Sequence, residues 1–190
     1  MVIVLGGVNG AGKSTSARAL LAEQLSVTTF VNADEIARGL NAFAPETVAF
    51  AAGRVMLQRL TELVVERADF AFETTLAGRT YLPILSEWQR NGYGVEMYYF
   101  WLRSPELALS RVRARVRRGG HDIPERILRQ RFGRSLHNFW NDYRYVADSW
   151  FAYDNSDDDP ILLAAGSRSD EPQLADQSRW KEFRKAVDDA

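Results

Sequence analysis

Residues 7–14 read Gly7-Val8-Asn9-Gly10-Ala11-Gly12-Lys13-Ser14. The run fits G-x-x-x-x-G-K-[ST] at every fixed position. It follows a short apolar stretch, Val2 to Leu5, and precedes a helical pattern that begins at Ser14. Strand, glycine loop and helix in that order define a phosphate-binding loop. The glycines let the backbone curl so that successive N–H groups point at one anion. The positive end of the following helix faces the same anion. In such a loop Gly7, Asn9, Gly10, Ala11, Gly12 and Thr15 surround the phosphates of ATP. Lys13 reaches the β- and γ-phosphates, and the Ser14 hydroxyl is offered to Mg²⁺.

Outward from the loop the chain alternates strand and helix, which implies an α/β fold: a doubly wound parallel sheet with helices on both faces. Val2–Leu5 is the first strand. A helix is expected from Ser14 to Leu25, with Ala17, Leu20 and Leu21 on one face. Thr28–Val31 is the second strand, ending at Asn32-Ala33-Asp34, and a short helix covers Glu35–Leu40. A long helix spans Pro45–Arg67, with apolar residues near helical spacing. Phe70–Phe72 is the third strand, ending at Glu73. A helix runs over Arg79–Asn91, and Val95–Leu102 is a fourth, aromatic strand. Ser104-Pro105-Glu106 opens a helix with a capping hydroxyl, an early proline and an early acid. It runs to Arg118 and is broken at Gly119-Gly120. Pro124 opens the next helix, expected to reach Asp148, and Ile161–Ala164 is the last strand. Residues 1–166 form one domain on this reading. The polar stretch 167–190 is either a mobile tail or an extra helix around Trp180–Val187.

The 190-residue chain has ordinary globular composition, 46% apolar and 26% charged, which excludes a disordered or fibrous protein. It has no cysteine and two histidines, so neither a thiol nucleophile nor a Cys- or His-built metal site is expected. No apolar run approaches the roughly 18 residues of a membrane span, and no signal peptide is recognisable, so the expected compartment is the cytoplasm. The net charge of −1 conceals a local excess: residues 103–134 hold ten arginines against Glu106, Asp122 and Glu125. Arginine forks suit phosphate. This stretch is either a solvated helix face or a cationic lid over nucleotide. A nucleic-acid surface is disfavoured by the neutral overall charge. Tyr98-Tyr99-Phe100-Trp101 reads as a buried strand rather than a base-stacking platform.

The N-K-x-D segment of a GTPase, an L-S-G-G-Q-like signature and an H-R-D segment are all missing from the sequence. A small P-loop kinase or phosphotransferase remains, which needs Mg-ATP, a base for the acceptor hydroxyl and cations over the phosphates.

Five segments together carry a resemblance: Gly7 to Thr15, V-N-A-D-E-I-A-R-G-L at 31–40, F-A-F-E-T-T-L-A-G-R at 70–79, S-P-E-L-A-L-S-R-V at 104–112 and G-G-H-D-I-P at 119–124. They resemble the zeta toxin family, and more closely its chromosomal relatives often labelled "predicted ABC-type ATPase". The missing L-S-G-G-Q-like signature argues against that label. The resemblance covers about residues 1–165. It implies a nucleoside-monophosphate-kinase-like sheet of order 2-3-1-4-5 and ATP-dependent phosphorylation of a small-molecule hydroxyl. UDP-N-acetylglucosamine is the family's acceptor, and a protein antitoxin is its partner.

The same resemblance assigns Asp34 as general base; from the residues alone Asp34 is equally a cap for the helix it begins. Glu73 is expected beside the phosphate loop, where it binds the acceptor, the role the resemblance favours, or acts through water on Mg²⁺. Thr74, Thr75 and Arg79 offer donors to the substrate, or, for the threonines, cap the next helix. Arg111, Arg115 and Arg118 share one helical stripe. Arg115, Arg118, Arg129 and Arg131 are the candidates to close on ATP, and His121 at the loop apex touches phosphate or substrate or is an ordinary loop residue. Two other readings stay open: a nucleic-acid 5′-kinase, and a partner-controlled nucleotide-binding protein with little turnover.

Overall fold

The computed structural model describes residues 1–19, 27–120 and 122–190. Strand β1 (Val2–Gly7) is buried along its whole length. It pairs in parallel with β3 (Phe70–Thr74) on one edge and β4 (Val95–Trp101) on the other. An apolar run without alternation suits a strand with both faces covered. β2 (Phe30–Val31) adds in parallel outside β3, and β5 (Ser149–Asp154) in parallel outside β4. These five strands therefore stand in the order 2-3-1-4-5.

Two further strands extend the β5 edge. β6 (Ile161–Ser167) pairs antiparallel to β5, and β7 (Gln173–Leu174) antiparallel to β6. Ile161–Ala164, expected as the last parallel strand, is thus the sixth strand and runs the other way. Residues 155–160 cannot hold a crossover helix, which takes a dozen residues or more, so the chain has to turn back. The true fifth strand, S-W-F-A-Y-D, was hidden at the end of a helix expected to reach Asp148. That helix, α6 (Glu125–Asn141), ends instead at Asp142, which leaves helical backbone at φ −127°, ψ −61°. A 3₁₀ turn over Tyr143–Tyr145 then leads into the strand.

The remaining helices are α1 (Lys13–Ala19), α2 (Ala33–Leu40), α3 (Ala49–Val65), α4 (Tyr81–Arg90), α5 (Pro105–Val116) and α7 (Gln177–Asp188). The outer part of the helix expected after the loop, with Leu20 and Leu21, lies outside the described residues. The stretch expected as one helix from Pro45 splits into a 3₁₀ turn, Pro45–Val48, and α3. Ser104 caps α5, its hydroxyl accepting from the Leu107 N–H at 3.1 Å.

α7 is capped by the Asp176 carboxylate and buries Trp180, Phe183 and Val187. Phe183 meets Tyr99, Trp101 and Phe139 edge-on at centroid distances of 5.5–6.3 Å. Each such burial is worth about 1.5–3 kcal/mol, enough to seat a helix that is polar on its other faces. Tyr98 to Trp101 are all buried, so this aromatic run belongs to the core. A charge cluster also ties α7 to the sheet. The fully buried Asp154 carboxylate receives Arg103 Nε at 2.9 Å and Arg179 Nη1 at 3.0 Å, and both guanidiniums also reach Asp157. Among the described residues no helix is long and apolar enough to cross a membrane.

Candidate functional site

The loop between β1 and α1 sits at the carboxyl end of the parallel strands, where ligands bind in open α/β sheets. Gly7 and Gly12 show why the loop needs glycine. Gly7 has φ +145°, and a Cβ there would run into the Phe100 backbone carbonyl. Gly12 has φ +75°, and its Cβ would meet Asn155 Nδ2 at 2.8 Å. Asn155 fills that space because its amide donates to the Ala11 carbonyl at 2.6 Å.

Lys13 is 5% exposed. Its ammonium donates to the Gly7 and Val8 carbonyls, both at 3.0 Å, and lies 3.7 Å from Glu73 Oε1. Burial pulls its pKa below the ordinary lysine value, against the opposing pull of Glu73 and Asp34. A cation held dry among carbonyls is poised to exchange them for phosphate oxygens.

Glu73 ends up beside the loop because β3 pairs with β1 in the register Leu5↔Glu73. Ser14 Oγ donates to Glu73 Oε2 at 2.5 Å, and Asn32 Nδ2 donates to the same oxygen at 2.9 Å. The hydroxyl and carboxylate are hard oxygen donors, the set that Mg²⁺ prefers, so these two residues fit a metal bound alongside phosphate.

Asn32 uses both ends of its amide. While Nδ2 holds Glu73, Oδ1 accepts the Asp34 N–H at 2.8 Å and caps α2. Asp34 is therefore not the cap: it is the second residue of the helix, and its carboxylate is left for other work. That carboxylate is about half exposed, with Arg115 Nη1 3.8 Å from Oδ2. A pair so exposed is worth at most about 1 kcal/mol, so it orients the carboxylate without sequestering it. Lys13, Glu73, Asp34 and Arg115 form one electrostatic group around the loop. Asn32 went unassigned in the sequence, although an Asn directly before a helix is itself a capping signal.

The loop after Glu73 is held from outside. Thr74 and Thr75 turn their hydroxyls to the Leu76 and Ala77 N–H groups, so neither caps α4. Arg79 Nε bonds Asp142 Oδ2 at 2.8 Å. Other expected site residues are not gathered here. Arg129 is bound to Glu106 and Glu125. Arg111 donates to the Asn155 and Ser156 carbonyls at 2.6 and 2.8 Å, bracing the loop that carries Asn155. Arg118 and Arg131 are exposed, and His121 lies outside the described residues. Among the described residues no group of three or more His, Asp or Glu is arranged to hold a metal by itself.

A family model described as an AAA domain (AAA_33) matches residues 2–134. The chain belongs to the AAA domain family. The matched AAA domain includes the phosphate loop, Asp34, Glu73 and α5, and it stops within α6. An uncharacterized protein of Haemophilus influenzae is 32% identical over 126 residues, 66% of this chain and 88% of that protein.

Among solved structures, the complex AvrRxo1-ORF1:AvrRxo1-ORF2 with sulphate ions superposes on 96% of this chain at a TM-score of 0.77 and 15% identity. This chain spans 63% of the length of that neighbour, which has also been solved with ATP. The PezAT chromosomal toxin–antitoxin system of Streptococcus pneumoniae matches all of this chain and 86% of its own at TM-score 0.63 and 14% identity. A gluconokinase from Sinorhizobium meliloti matches 99% and 91% at TM-score 0.53 and 18% identity. At these identities the likeness is one of fold: this AAA domain has the P-loop kinase architecture, a mostly parallel sheet with helices on both faces.

Proposed function

We propose that this protein is a Mg-ATP-dependent kinase that phosphorylates a hydroxyl of a small molecule, in the manner of the zeta toxins, with an amino-sugar nucleotide such as UDP-N-acetylglucosamine as acceptor. The observation that carries the reading is the freed Asp34 carboxylate. Asn32 does the capping, so Asp34 stands open to solvent beside the loop with a cation at 3.8 Å.

In the reaction the acceptor oxygen forms a bond to the γ-phosphorus as the bond to the β,γ-bridging oxygen breaks, and ADP leaves. Asp34 takes the hydroxyl proton. Lys13 and Arg115 neutralise charge on the transferring group. Ser14 and Glu73 would hold Mg²⁺, which supplies charge neutralisation at the phosphates when bound. Glu73 then works on the metal side rather than on the acceptor, a role supported by its hydrogen bond to Ser14. Arg118 and Arg131 project from the lid toward solvent and are the arginines available to nucleotide. Arg129, bound to two glutamates, is withdrawn from that role.

The toxin–antitoxin neighbours support a protein partner, and the exposed arginines of α5 and α6 suit an acidic one. A kinase of this type works in the cytoplasm, where ATP and sugar nucleotides meet.

The deciding experiment offers Mg-ATP with UDP-N-acetylglucosamine, then a pooled metabolite extract, and reads products by mass spectrometry. A product heavier by one phosphate, formed by wild type and not by Asp34→Asn, is expected. ADP and free phosphate with no phosphorylated acceptor would defeat the reading and leave an ATPase or a partner-controlled protein.

A further inference from the structure

The segment that follows Glu73 is bound at Thr75, Leu76, Gly78 and Arg79 by α6 and the turn after it. Ser135 Oγ donates to the Thr75 carbonyl at 2.5 Å. Asn138 Nδ2 donates to the Leu76 carbonyl at 2.8 Å, and Tyr143 OH to the Gly78 carbonyl at 2.6 Å. Asp142 takes the Arg79 side chain. Ser135 and Asn138 stand at i and i+3 on α6, Asp142 ends that helix and Tyr143 opens the 3₁₀ turn after it. Ser135, Asn138 and Tyr143 are at most 6% exposed.

A helix that only needed to pack would show apolar residues at these positions. Buried polar groups are costly unless satisfied, and here each one is spent on a carbonyl of the same loop. The loop needs such holding. Leu76 has φ +55°, a conformation a leucine rarely adopts. Its side chain is fully buried and fills the space over Gly6, where an added Cβ would lie 2.5 Å from Leu76 Cδ1. Strain of this kind persists only where the surroundings over-determine it.

We infer that Ser135, Asn138 and Tyr143 are positioning residues for acceptor phosphorylation, with α6 and the 3₁₀ turn after it serving as a strut that fixes the 75–79 loop, and through it Thr74, against the phosphate-binding strand. The inference rests on the kinase reading for its consequence and on the hydrogen bonds alone for its geometry. The first turns of the same helix carry Arg129 and Arg131. One rigid element therefore joins the arginine-rich segment to the acceptor side of the site.

Tyr143→Phe and Ser135→Ala remove the hydroxyl donors while keeping most of the packing, and they are made singly and together. Hydrogen–deuterium exchange is read first, in nucleotide-free protein. The amides of residues 75–79 are expected to exchange about tenfold faster in the double variant, with those of 8–13 unchanged. Transfer from Mg-ATP to UDP-N-acetylglucosamine is read second. The KM for the sugar nucleotide is expected to rise about fivefold or more while that for ATP stays within about twofold. Unaltered exchange over 75–79, or a loss carried by the ATP KM alone, overturns the inference. Should the double variant fail to fold, Tyr143→Phe alone is judged by the same two readouts. A wild-type protein inert toward UDP-N-acetylglucosamine would sink the acceptor reading instead, and the exchange result, which needs no acceptor, still decides the tether.

Discussion

Asn155, just past the end of β5, donates its side-chain amide to the Ala11 carbonyl at 2.6 Å across 144 positions of sequence. The same amide occupies the space a Gly12 side chain would need. Asn155→Ala leaves a buried carbonyl unsatisfied, which costs about 1–3 kcal/mol. It is expected to lower the unfolding midpoint and to weaken ATP binding about tenfold or more. Gly12→Ala adds strain at φ +75° to a clash with the same amide and should abolish binding. Nucleotide titration together with thermal unfolding checks both. ATP binding by Gly12→Ala at wild-type affinity would show that the loop does not hold phosphate in this conformation.

Asp34→Asn keeps the size and the helix of Asp34 but removes the proton acceptor. Phosphoryl transfer should fall about 10²–10⁴-fold with ATP affinity nearly unchanged. Lys13→Ala should lose both. Single-turnover kinetics beside equilibrium binding separates the two effects. Equal losses of binding in the two variants would remove Asp34 from the role of base.

Lys13 gives the site a pH dependence with a definite sign. Its pKa in the folded protein lies below 10.5, burial being the main cause. The charged form is therefore the disfavoured one in the empty site, and bound phosphate favours it. Above the lowered pKa, nucleotide binding must take up a proton, so affinity falls as pH rises, starting below 10.5 and by at most about tenfold per pH unit. For folding, the cost of keeping Lys13 charged is carried below the folded-state pKa and is relieved as pH climbs toward 10.5. Calorimetry in buffers of different ionisation enthalpy reads the proton uptake directly. Lys13→Met should show none.

The Asp154 carboxylate, buried between Arg103 and Arg179, is expected to matter more than any exposed pair in the molecule. Asp154→Ala leaves two guanidiniums facing an uncharged hole and should cost about 3 kcal/mol. Arg59→Ala, whose partners Glu62 and Glu66 are half exposed, should cost far less. Urea unfolding of the two variants compares them, and similar losses would mean that the buried cluster is not the latch of α7.

The phosphate loop is legible in the sequence because its geometry demands glycine at fixed places and a lysine at one spacing. The five-strand order could be read only through the family resemblance, since nothing local in V-I-V-L or F-A-F says which edge pairs with which. β5 escaped because Ser149–Asp154 alternates half-buried and buried residues over a mere six positions, directly after a helix whose aromatic residues blur the change of period. Its antiparallel neighbour follows from the length of the connection, a point that needs β5 to be seen first. At the site, Lys13, Asp34 and Glu73 were findable from motif and strand ends. Asn155 and the Ser135–Asn138 pair were not, because their partners are backbone carbonyls far away in sequence, and a carbonyl leaves no mark on the residue that bears it.

The order of synthesis bears on the Ala11–Asn155 bond. The side chain that braces the phosphate loop is made 144 residues after the loop itself. At roughly 5–20 residues per second the ribosome needs on the order of ten seconds to supply that brace. Until then β5 is absent and the loop is left without its brace, so a nascent chain cannot trap nucleotide by this geometry. The braced form of the loop is therefore out of reach of any chain not yet made through β5.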